Sequence, residues 1–347
     1  MITLQAEDEI AAANVALGAA FAGDLGVTGT SGPGMDLKAE TLGLAVTLEL
    51  PMVIVDVQRA GPSTGMPTKT EQADLLLALF GRHGESPMPV VASRSPSHCF
   101  DAALEAARIA IEYRTPVILL SDTFLANSSE PWLLPDLDSL PTIDPAFATG
   151  PNAGQEFLPY LRDEKLARPW AVPGTKGLRH RVGGLEKEDG TGDISYDPEN
   201  HGRMTELRAA KVAKVADSIP PLEVDDPDGD AELLVLGWGS TYGTIKAAAR
   251  RVRERGRKVA TAHLVHLSPM PGNTGEVVRG YRHVLIPEVN TGQLAMLIRA
   301  AHLVDAKTYA KVQGQPIFAE DLENEILRVG EDSAGGRDSA GGRDSEG

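Results

Sequence analysis

The sequence predicts an α/β protein made of two domains, each a parallel β-sheet covered by helices on both faces in three layers. Two stretches, residues 1–125 and 231–318, alternate strand-like apolar runs with helix-like patterns. This alternation favours parallel strands, because a parallel pair needs a crossover connection and the crossover is usually a helix. Residues 126–230 lack the alternation, and a chain of 347 residues is long enough for two ordinary domains.

The first stretch begins with an alanine-rich segment whose Ile10, Leu17 and Phe21 favour a closely packed helix. Its clearest strand is the apolar run 52–57, which is typical of a buried strand. The remaining elements follow from apolar spacing and from the turn residues between the runs. The predicted helices cover 6–22, 36–50, 70–80 and 96–113, and the predicted strands cover 24–30, 52–57, 89–92 and 116–121.

The middle stretch, 126–230, predicts an ordered excursion over a neighbouring surface, followed by a helix and a hinge. It is rich in proline, glycine and aspartate, but it also contains Trp132 and Trp170, which a free linker would rarely carry. The helix is predicted at 204–218, with its basic residues on the exposed face. The acidic, proline-containing segment 220–230 is predicted to be the hinge.

The second α/β stretch and the C-terminal tail differ sharply in apolar content. The tail, 331–347, contains two copies of Ser-Ala-Gly-Gly-Arg-Asp and has nothing apolar to bury, so we predict that it is disordered. Within 231–318, the predicted strands cover 232–236, 258–265 and 283–287, and the predicted helices cover 241–255, 275–281 and 293–302.

Composition excludes several classes of function. The formal net charge of −16 makes nucleic acid an improbable partner, because phosphate binding requires clustered lysine and arginine. Cys99 is the only cysteine, so the chain can form no internal disulfide and cannot by itself ligate an iron–sulfur cluster. The eight histidines show no metal-ligand spacing, and no metal site is predicted. With no membrane-spanning run and no signal-peptide pattern, we expect a cytoplasmic protein without membrane contact.

The loop that follows the strand 52–57 is the most informative segment. Its sequence is Arg-Ala-Gly-Pro-Ser-Thr-Gly-Met-Pro-Thr, in which Arg59 is the first residue and Ser63 and Thr64 carry hydroxyl groups a few residues later. Ligands of open α/β sheets collect at the carboxyl ends of the strands, and arginine offers a planar fork of donors that matches a carboxylate or a phosphate. The alternative is a tight turn with a solvated arginine. So many turn residues around one cation favour a binding site.

Three further segments carry weaker signals. The turn Gly29–Gly34 lies between a predicted strand and a helix, which suits an anion-binding turn and a purely structural turn equally well. In Gly237–Gly243 the last glycine spacing is one residue too long for a dinucleotide motif, and the next strand ends in His263 and His266 where an acid is expected, so a nicotinamide site is not favoured. Glu7 lies at the start of the first helix, where the helix dipole alone favours acids.

Eight motifs, spread over nearly the whole chain up to about residue 318, resemble motifs of one protein family. They are QAEDEIAA (5–12), GTSGPG (29–34), VDVQRAGPSTGMPTKTEQADL (55–75), GRHGE (81–85), TPVILLSD (115–122), ARPWAVPG (167–174), GGLEKEDGTGDISYDPENH (183–201) and PEVNTGQL (287–294). The chain thereby resembles the α subunit of 2-oxoacid:ferredoxin oxidoreductases. The LANSSEPW segment (125–132) and the EKEDGTG segment (186–192) resemble the 2-oxoglutarate branch more than the pyruvate branch.

The resemblance implies a thiamine diphosphate pyrimidine-binding fold for 1–125 and a transketolase C-terminal-like domain for 231–318. It also implies oxidative decarboxylation of 2-oxoglutarate or a related 2-oxoacid, with ferredoxin as electron acceptor and coenzyme A as acyl acceptor. The thiamine diphosphate is shared with a β subunit, which carries Mg²⁺ and the iron–sulfur cluster. This chain lacks the Gly-Asp-Gly…Asn signature of a diphosphate site, so we expect activity only in a heteromer.

The resemblance assigns roles to individual residues. Glu7 corresponds to the glutamate that hydrogen-bonds the aminopyrimidine ring of the cofactor, and Arg59 to the arginine that binds the 2-oxoacid carboxylate. Ser63 and Thr64 are expected to line the substrate pocket. Thr30 and Ser31 are expected to contact the cofactor through the glycine turn.

One departure from the family pattern raises alternatives. Family members usually carry a Tyr-Pro-Ile-Thr-Pro motif, and many a γ-type domain, before the QAEDE helix, whereas this sequence begins at Met1. Either the product is truncated or another polypeptide supplies the missing part. The chain could then be a non-catalytic subunit that only binds its β partner. Another thiamine-dependent dehydrogenase half is the third possibility.

Overall fold

A computed structural model of the chain describes residues 2–335 and confirms the predicted α/β class with two sheets. The strands are β1 (Gly26–Thr30), β2 (Met52–Gln58), β3 (Val90–Ala92), β4 (Pro116–Asp122), β5 (Val224–Asp225), β6 (Leu233–Trp238), β7 (Ala260–Leu264), β8 (His266–Ser268), β9 (His283–Glu288) and β10 (Ala306–Ala310). The helices are α1 (Glu9–Ala22), α2 (Gly32–Leu48), α3 (Leu75–Phe80), α4 (His98–Tyr113), α5 (Thr123–Asn127), α6 (Pro198–Lys214), α7 (Tyr242–Glu254), α8 (Thr274–Arg279), α9 (Gln293–His302) and α10 (Ala319–Gly335).

Each sheet has five strands, of which four are parallel and one edge strand is antiparallel. The first sheet has the order β1-β2-β4-β3-β8, and the second has the order β10-β9-β6-β7-β5. The antiparallel strands are β8, which pairs with β3, and β5, which pairs with β7. Because β8 follows β7 directly in the chain, the second domain supplies a strand to the sheet of the first, and the amide of Ala92 donates to the carbonyl of Val265 at 2.7 Å.

One continuous apolar core lies between the two sheets, and each sheet has a second core on its other face. Alternate residues of β2 point into different cores. Met52 and Ile54 face the shared core with α1 and α2, while Val53 faces the second core with α4. Likewise, Leu234 of β6 faces the shared core and Val235 faces α7 and α10. Strands buried on both faces explain the continuous apolar runs by which they were predicted.

Several boundaries differ from the sequence prediction. The helix expected at 70–80 is limited to α3, because residues 70–72 are irregular, residues 73 and 74 form a turn, and Gln72 bonds to the second domain. The helix expected at 204–218 starts earlier, at Pro198, where the Asp197 side chain accepts from the amide of Glu199, and its last residues form a 3₁₀ turn. Two of its basic residues, Arg208 and Lys211, are buried, which corrects the prediction of an exposed basic face.

The second domain extends beyond the predicted 231–318. β10 was not predicted, and α10 buries Leu322, Ile326 and Val329 against α7. The tail predicted to be disordered begins within α10, which continues to Gly335, and the rest of that tail, residues 336–347, lies outside the described residues. None of the helices in the described part of the chain is long and apolar enough to cross a membrane.

A buried charge cluster fastens the excursion to the first domain. Glu49, which is 1 % exposed, caps α2 in a left-handed conformation with φ 52°. Arg162 donates to both of its carboxylate oxygens at 2.5 and 2.6 Å, and Lys211 of α6 donates at 2.6 Å. Burial alone would raise the pKa of Glu49, but the charges of Lys211 and Arg162 outweigh it and lower that pKa to about 2. Trp170 adds an apolar anchor nearby, and its indole N–H donates to the carbonyl of Ala20 at 3.0 Å.

Candidate active site

The carboxyl ends of β1, β2 and β4 meet at one edge of the first sheet, because these three neighbouring strands are parallel. Thr30 ends β1 opposite Asp56 of β2, and Ser31 is the N-cap of α2. Arg59 follows β2 directly, one residue beyond Gln58. The structure therefore places Thr30, Ser31 and Arg59 at the edge where ligands bind in open α/β sheets.

The loop after Arg59 is a hydrogen-bonded hairpin. The amide of Ala60 donates to the carbonyl of Lys69 at 2.9 Å, and the amide of Met66 donates to the carbonyl of Ala60 at 2.9 Å. Gly65 has a positive φ of 48°, and a Cβ there would lie 1.9 Å from the carbonyl oxygen of Ala60, so only glycine fits. These bonds give a fixed backbone on the C-terminal side of Arg59.

Arg59 itself carries an unsatisfied donor. Its side chain is half-buried, and its Nε is shielded from solvent with no hydrogen-bond acceptor among the described residues. Its positive charge acts on the carboxyl group of Asp74. A buried guanidinium N–H without an acceptor is costly, so the geometry calls for an anionic partner at this position.

Two aspartates beside Arg59, the buried Asp56 and the half-buried Asp74, interact electrostatically. Asp56 is fully buried, and no N–H or O–H donor among the described residues reaches either of its oxygens. The charge of the half-buried Asp74 acts on this carboxyl group. Burial, followed by the charge of Asp74, raises the pKa of Asp56 well above its usual range. Burial and the charge of Asp36 raise the pKa of Asp74 to about 6.

Two of the three glycines of the 29–34 turn, Gly32 and Gly34, are required by packing within the protein. A Cβ on Gly32 would lie 2.9 Å from Oδ2 of Asp74, and a Cβ on Gly34 would lie 2.0 Å from Oγ1 of Thr30. Asp74 therefore approaches the N-terminus of α2 as well as Arg59. The turn brings the β1 end, the α2 end and the Arg59 segment together without need of a bound anion.

The N-terminus of α1 adjoins the same turn. Glu7 precedes the N-cap Asp8, whose side chain accepts from the amide of Ala11 at 2.8 Å. The fully buried Lys38 of α2 donates from Nζ to the carbonyl of Glu9 at 3.2 Å and so ties the two helices together. Glu7 is exposed, and it lies just outside the helix that was predicted to include it.

The predicted site residues fall into two groups. Glu7, Thr30, Ser31 and Arg59 belong to segments that contact one another at the carboxyl edge. Ser63 and Thr64 are fully exposed at the tip of the hairpin, away from these contacts. The sequence analysis missed Asp56 and Asp74, although an aspartate inside the apolar run 52–57 was a signal for the first of them.

The glycines of the segment Gly237–Gly243 also have structural roles. A Cβ on Gly237 would lie 2.2 Å from Cδ1 of Ile245, and Gly239, with φ 58°, would place a Cβ 2.5 Å from Nε2 of Gln72. The first allows α7 to pack closely on β6, and the second allows the two domains to approach. Neither glycine is needed for a nucleotide.

The acid pair predicts how stability depends on pH. Both folded-state pKa values lie above the ordinary value of 3.8, so the native state binds more protons than the unfolded state, and the free energy of unfolding falls as pH rises from about 4 through 6. A rise of the Asp74 pKa from 3.8 to about 6 corresponds to about 3 kcal/mol. In urea denaturation at a series of pH values, Asp74→Asn should have a shallower downward slope than the wild type, because only the buried Asp56 still contributes to it. Parallel curves for the two proteins would contradict the raised pKa of Asp74.

Comparison with known proteins decides the family. The profile of the family described as pyruvate flavodoxin/ferredoxin oxidoreductase, thiamine diphosphate-binding, matches residues 1–196, more than half of the chain. The chain belongs to this family. The resemblance stated from the motifs is thereby confirmed, and the family description names thiamine diphosphate as the bound cofactor.

Relatives within the family have similar names. The chain is 58 % identical over 323 residues to the 2-oxoglutarate oxidoreductase subunit KorA of Mycobacterium tuberculosis, covering 93 % of this chain and 49 % of that protein. It is 30 % identical to the 2-oxoglutarate synthase subunit KorA of Methanothermobacter thermautotrophicus, covering 94 % of this chain and 86 % of that protein. The chain thus spans about half the length of the first of these relatives.

A solved structure in the family has the same fold. It is the 2-oxoglutarate:ferredoxin oxidoreductase from Magnetococcus marinus with 2-oxoglutarate, coenzyme A and succinyl-CoA bound. The TM-score is 0.88 at 37 % identity, over 94 % of this chain and 56 % of that chain. The similarity therefore covers both sheets and the excursion between them.

The residues at the carboxyl edge suit one side of the family's cofactor. An exposed carboxylate at Glu7 and the hydroxyl of Ser31, which makes no capping hydrogen bond to α2, can accept or donate hydrogen bonds to a heterocyclic ring. No group of three or more potential metal ligands occurs among residues 2–335. The hydrogen-bonding groups of Glu7 and Ser31 fit an aminopyrimidine ring.

Proposed function

We propose that this chain is the part of a 2-oxoacid:ferredoxin oxidoreductase α subunit that binds the 2-oxoacid and the pyrimidine side of thiamine diphosphate. The substrate is 2-oxoglutarate or a related 2-oxoacid, the products are the acyl-coenzyme A and CO₂, and ferredoxin takes the electrons. Family membership and the 2-oxoglutarate names of the relatives support this proposal. The observation that carries it is the half-buried Arg59, whose Nε has no acceptor.

Arg59 binds the substrate carboxylate in this proposal. Charge-assisted hydrogen bonds from a guanidinium to a carboxylate are short and about twice as strong as neutral ones, and two in parallel fix the orientation of the acid. The keto carbon is then held against the reacting centre, an effect that supplies a large part of many enzymatic rate enhancements. Ser63 and Thr64 lie at the exposed hairpin tip, so they line the pocket only if a partner subunit or a loop movement closes over them.

Glu7 hydrogen-bonds the aminopyrimidine ring, while Thr30 and Ser31 contact the cofactor from the glycine turn. Thiamine diphosphate, when bound, supplies the carbanion that decarboxylation of a 2-oxoacid requires. A carboxylate that assists proton transfer on such a ring is worth about 10²–10⁴-fold in rate. Because Glu7 is exposed in this chain, we place it at the boundary with the β subunit.

The β subunit carries Mg²⁺, the diphosphate site and the iron–sulfur cluster in this proposal. The lone Cys99 cannot hold a cluster, which needs several thiolates. The chain is therefore active only in the heteromer, which we place in the cytoplasm.

A reconstituted complex tests the proposal. The native α protein, purified with its β partner, should reduce ferredoxin when given 2-oxoglutarate and coenzyme A, faster than with pyruvate, while the α protein alone should be inactive. The measurement is the rate of ferredoxin reduction, followed optically, with coenzyme A omitted as the control. Reduction of NAD instead of ferredoxin would indicate another thiamine-dependent dehydrogenase, and a stable complex with no turnover would indicate a non-catalytic subunit.

A further inference from the structure

Gln72 lies at the centre of the contact between the two domains. It is fully buried, and both its backbone and its side chain bond to the second domain. The side-chain Nε2 donates to the carbonyl of Trp238 at 2.9 Å, and Oε1 accepts from the amide of Val289 at 3.0 Å. The backbone amide donates to the carbonyl of Val289 at 3.0 Å, and the backbone carbonyl accepts from Nδ2 of Asn290 at 2.8 Å.

The second domain presents these partners on a rigid support. Asn290 also donates to Glu288 at 3.0 Å and accepts from the amides of Gly292 and Gln293 at 2.7 and 2.9 Å. The buried Glu288 accepts from the indole N–H of Trp238 at 3.1 Å. The motif PEVNTGQL is thus the part of the second domain that binds Gln72, which lies at the C-terminal end of the loop that follows Arg59.

The residues around Gln72 bond to the side chain of the residue before Arg59 and to the backbone of the two residues after it. Asp74 donates its amide to Oε1 of Gln58 at 3.0 Å, just before Arg59. Lys69 accepts from the amide of Ala60 at 2.9 Å, and Oε2 of Glu71 accepts from the amide of Gly61 at 3.3 Å, just after Arg59. The segment 69–74 is therefore hydrogen-bonded to the second domain through Gln72 and to both flanks of Arg59 through the neighbours of Gln72.

We propose that Gln72 is a positioning residue for Arg59, through which the docked second domain fixes the arginine in its substrate-binding place. The Nε of Arg59 has no acceptor among the described residues, so the backbone that carries the side chain is what positions it. This inference rests on the proposed function, in which Arg59 binds the 2-oxoacid carboxylate. A displacement of about 1 Å at such a group can cost about 10²-fold in rate.

Two variants, called the brace variants below, disrupt the contacts of Gln72 with the second domain, one from each side of the domain boundary. Gln72→Met keeps the size of the side chain but loses both of its hydrogen bonds. Gly239→Ala leaves Gln72 in place but adds a Cβ that would lie 2.5 Å from its Nε2. Asn273→Leu is the matched control: it also loses two amide hydrogen bonds, to the backbone of Leu222 at 2.7 and 3.0 Å, but on a segment that does not touch the Arg59 loop.

The first readout is hydrogen exchange, measured by mass spectrometry on the peptide that contains residues 58–61. Gln72→Met and Gly239→Ala should speed exchange of the Ala60 and Gly61 amides, whereas Asn273→Leu should leave it unchanged even if its thermal midpoint falls as far. This readout needs no turnover. Unchanged exchange in both brace variants would overturn the proposal.

The second readout is steady-state kinetics of the assembled enzyme. Both brace variants should raise KM for 2-oxoglutarate about tenfold or more, with a smaller change in kcat, and the Asn273 variant should keep the wild-type KM. Faster exchange with an unchanged KM would overturn the positioning role. If the wild-type complex turns over no 2-oxoacid, the proposed function fails instead, and hydrogen exchange alone still decides whether Gln72 braces the segment.

Discussion

Replacing Arg59 with alanine should lower kcat/KM for 2-oxoglutarate by about 100- to 1000-fold in the assembled enzyme. Removing one partner of a buried, hydrogen-bonded charge pair costs about 2–5 kcal/mol, and each 1.36 kcal/mol is a factor of ten in rate. Arg59→Lys keeps the charge but loses the planar fork of donors, so it should fall between alanine and the wild type. The measurement is steady-state reduction of ferredoxin at varied 2-oxoglutarate.

The control for this prediction is another arginine far from the carboxyl edge. Arg250 lies on α7 with its side chain 73 % exposed, so Arg250→Ala should leave kcat/KM unchanged. Thermal midpoints of all variants separate loss of binding from loss of fold. Wild-type-like turnover in Arg59→Ala would remove this residue from the substrate pocket.

Replacing Glu49 with alanine should lower the free energy of unfolding by about 3–5 kcal/mol. The substitution leaves Lys211 buried without its carboxylate partner and Arg162 with only Asp189, 4.0 Å from its Nε, which is far more costly than the loss of an exposed ion pair. Glu49→Gln keeps an acceptor oxygen and should be less harmful. The measurement is the urea midpoint at pH 7, and Glu40→Ala, an exposed glutamate on the same helix, should stay within about 0.5 kcal/mol of the wild type.

The same residue predicts a loss of stability in acid. The folded-state pKa of Glu49 is lowered from 4.5 to about 2, so its contribution is complete above pH 4.5 and is lost as pH falls towards 2. The acid pair of Asp56 and Asp74 acts in the opposite direction at higher pH, between about 4 and 6. If Glu49→Ala unfolded at the same urea concentration as the wild type at pH 7, the cluster would have no stabilising role.

The fold class was predictable because its signal is local. Strands buried on both faces appear as apolar runs, such as Met52–Val57, and the intervening helices have their own spacing. The position of Arg59 followed from that strand, since the residue after a parallel strand lies at the carboxyl edge. By contrast, β8 is three residues long and pairs with a strand of the other domain. A local sequence pattern cannot predict such a contact.

The errors concern polar residues whose environment is set by distant partners. Lys211 was predicted to be exposed, as basic helix residues usually are, but Glu49 and Arg162 reach it from elsewhere in the chain. Asp56 was counted as part of a strand, and its acid partner Asp74 lies beyond the loop. Residues 70–74 were predicted to be helical, but the second domain binds Gln72 and the segment forms an irregular stretch and a turn.

A crystal structure of the assembled enzyme with 2-oxoglutarate tests the central claim most directly. The proposed function predicts that the guanidinium of Arg59 donates to the substrate carboxylate at about 2.7–2.9 Å, with its Nε no longer unpaired. A bound 2-oxoacid held by other groups, with Arg59 turned into solvent, would contradict it.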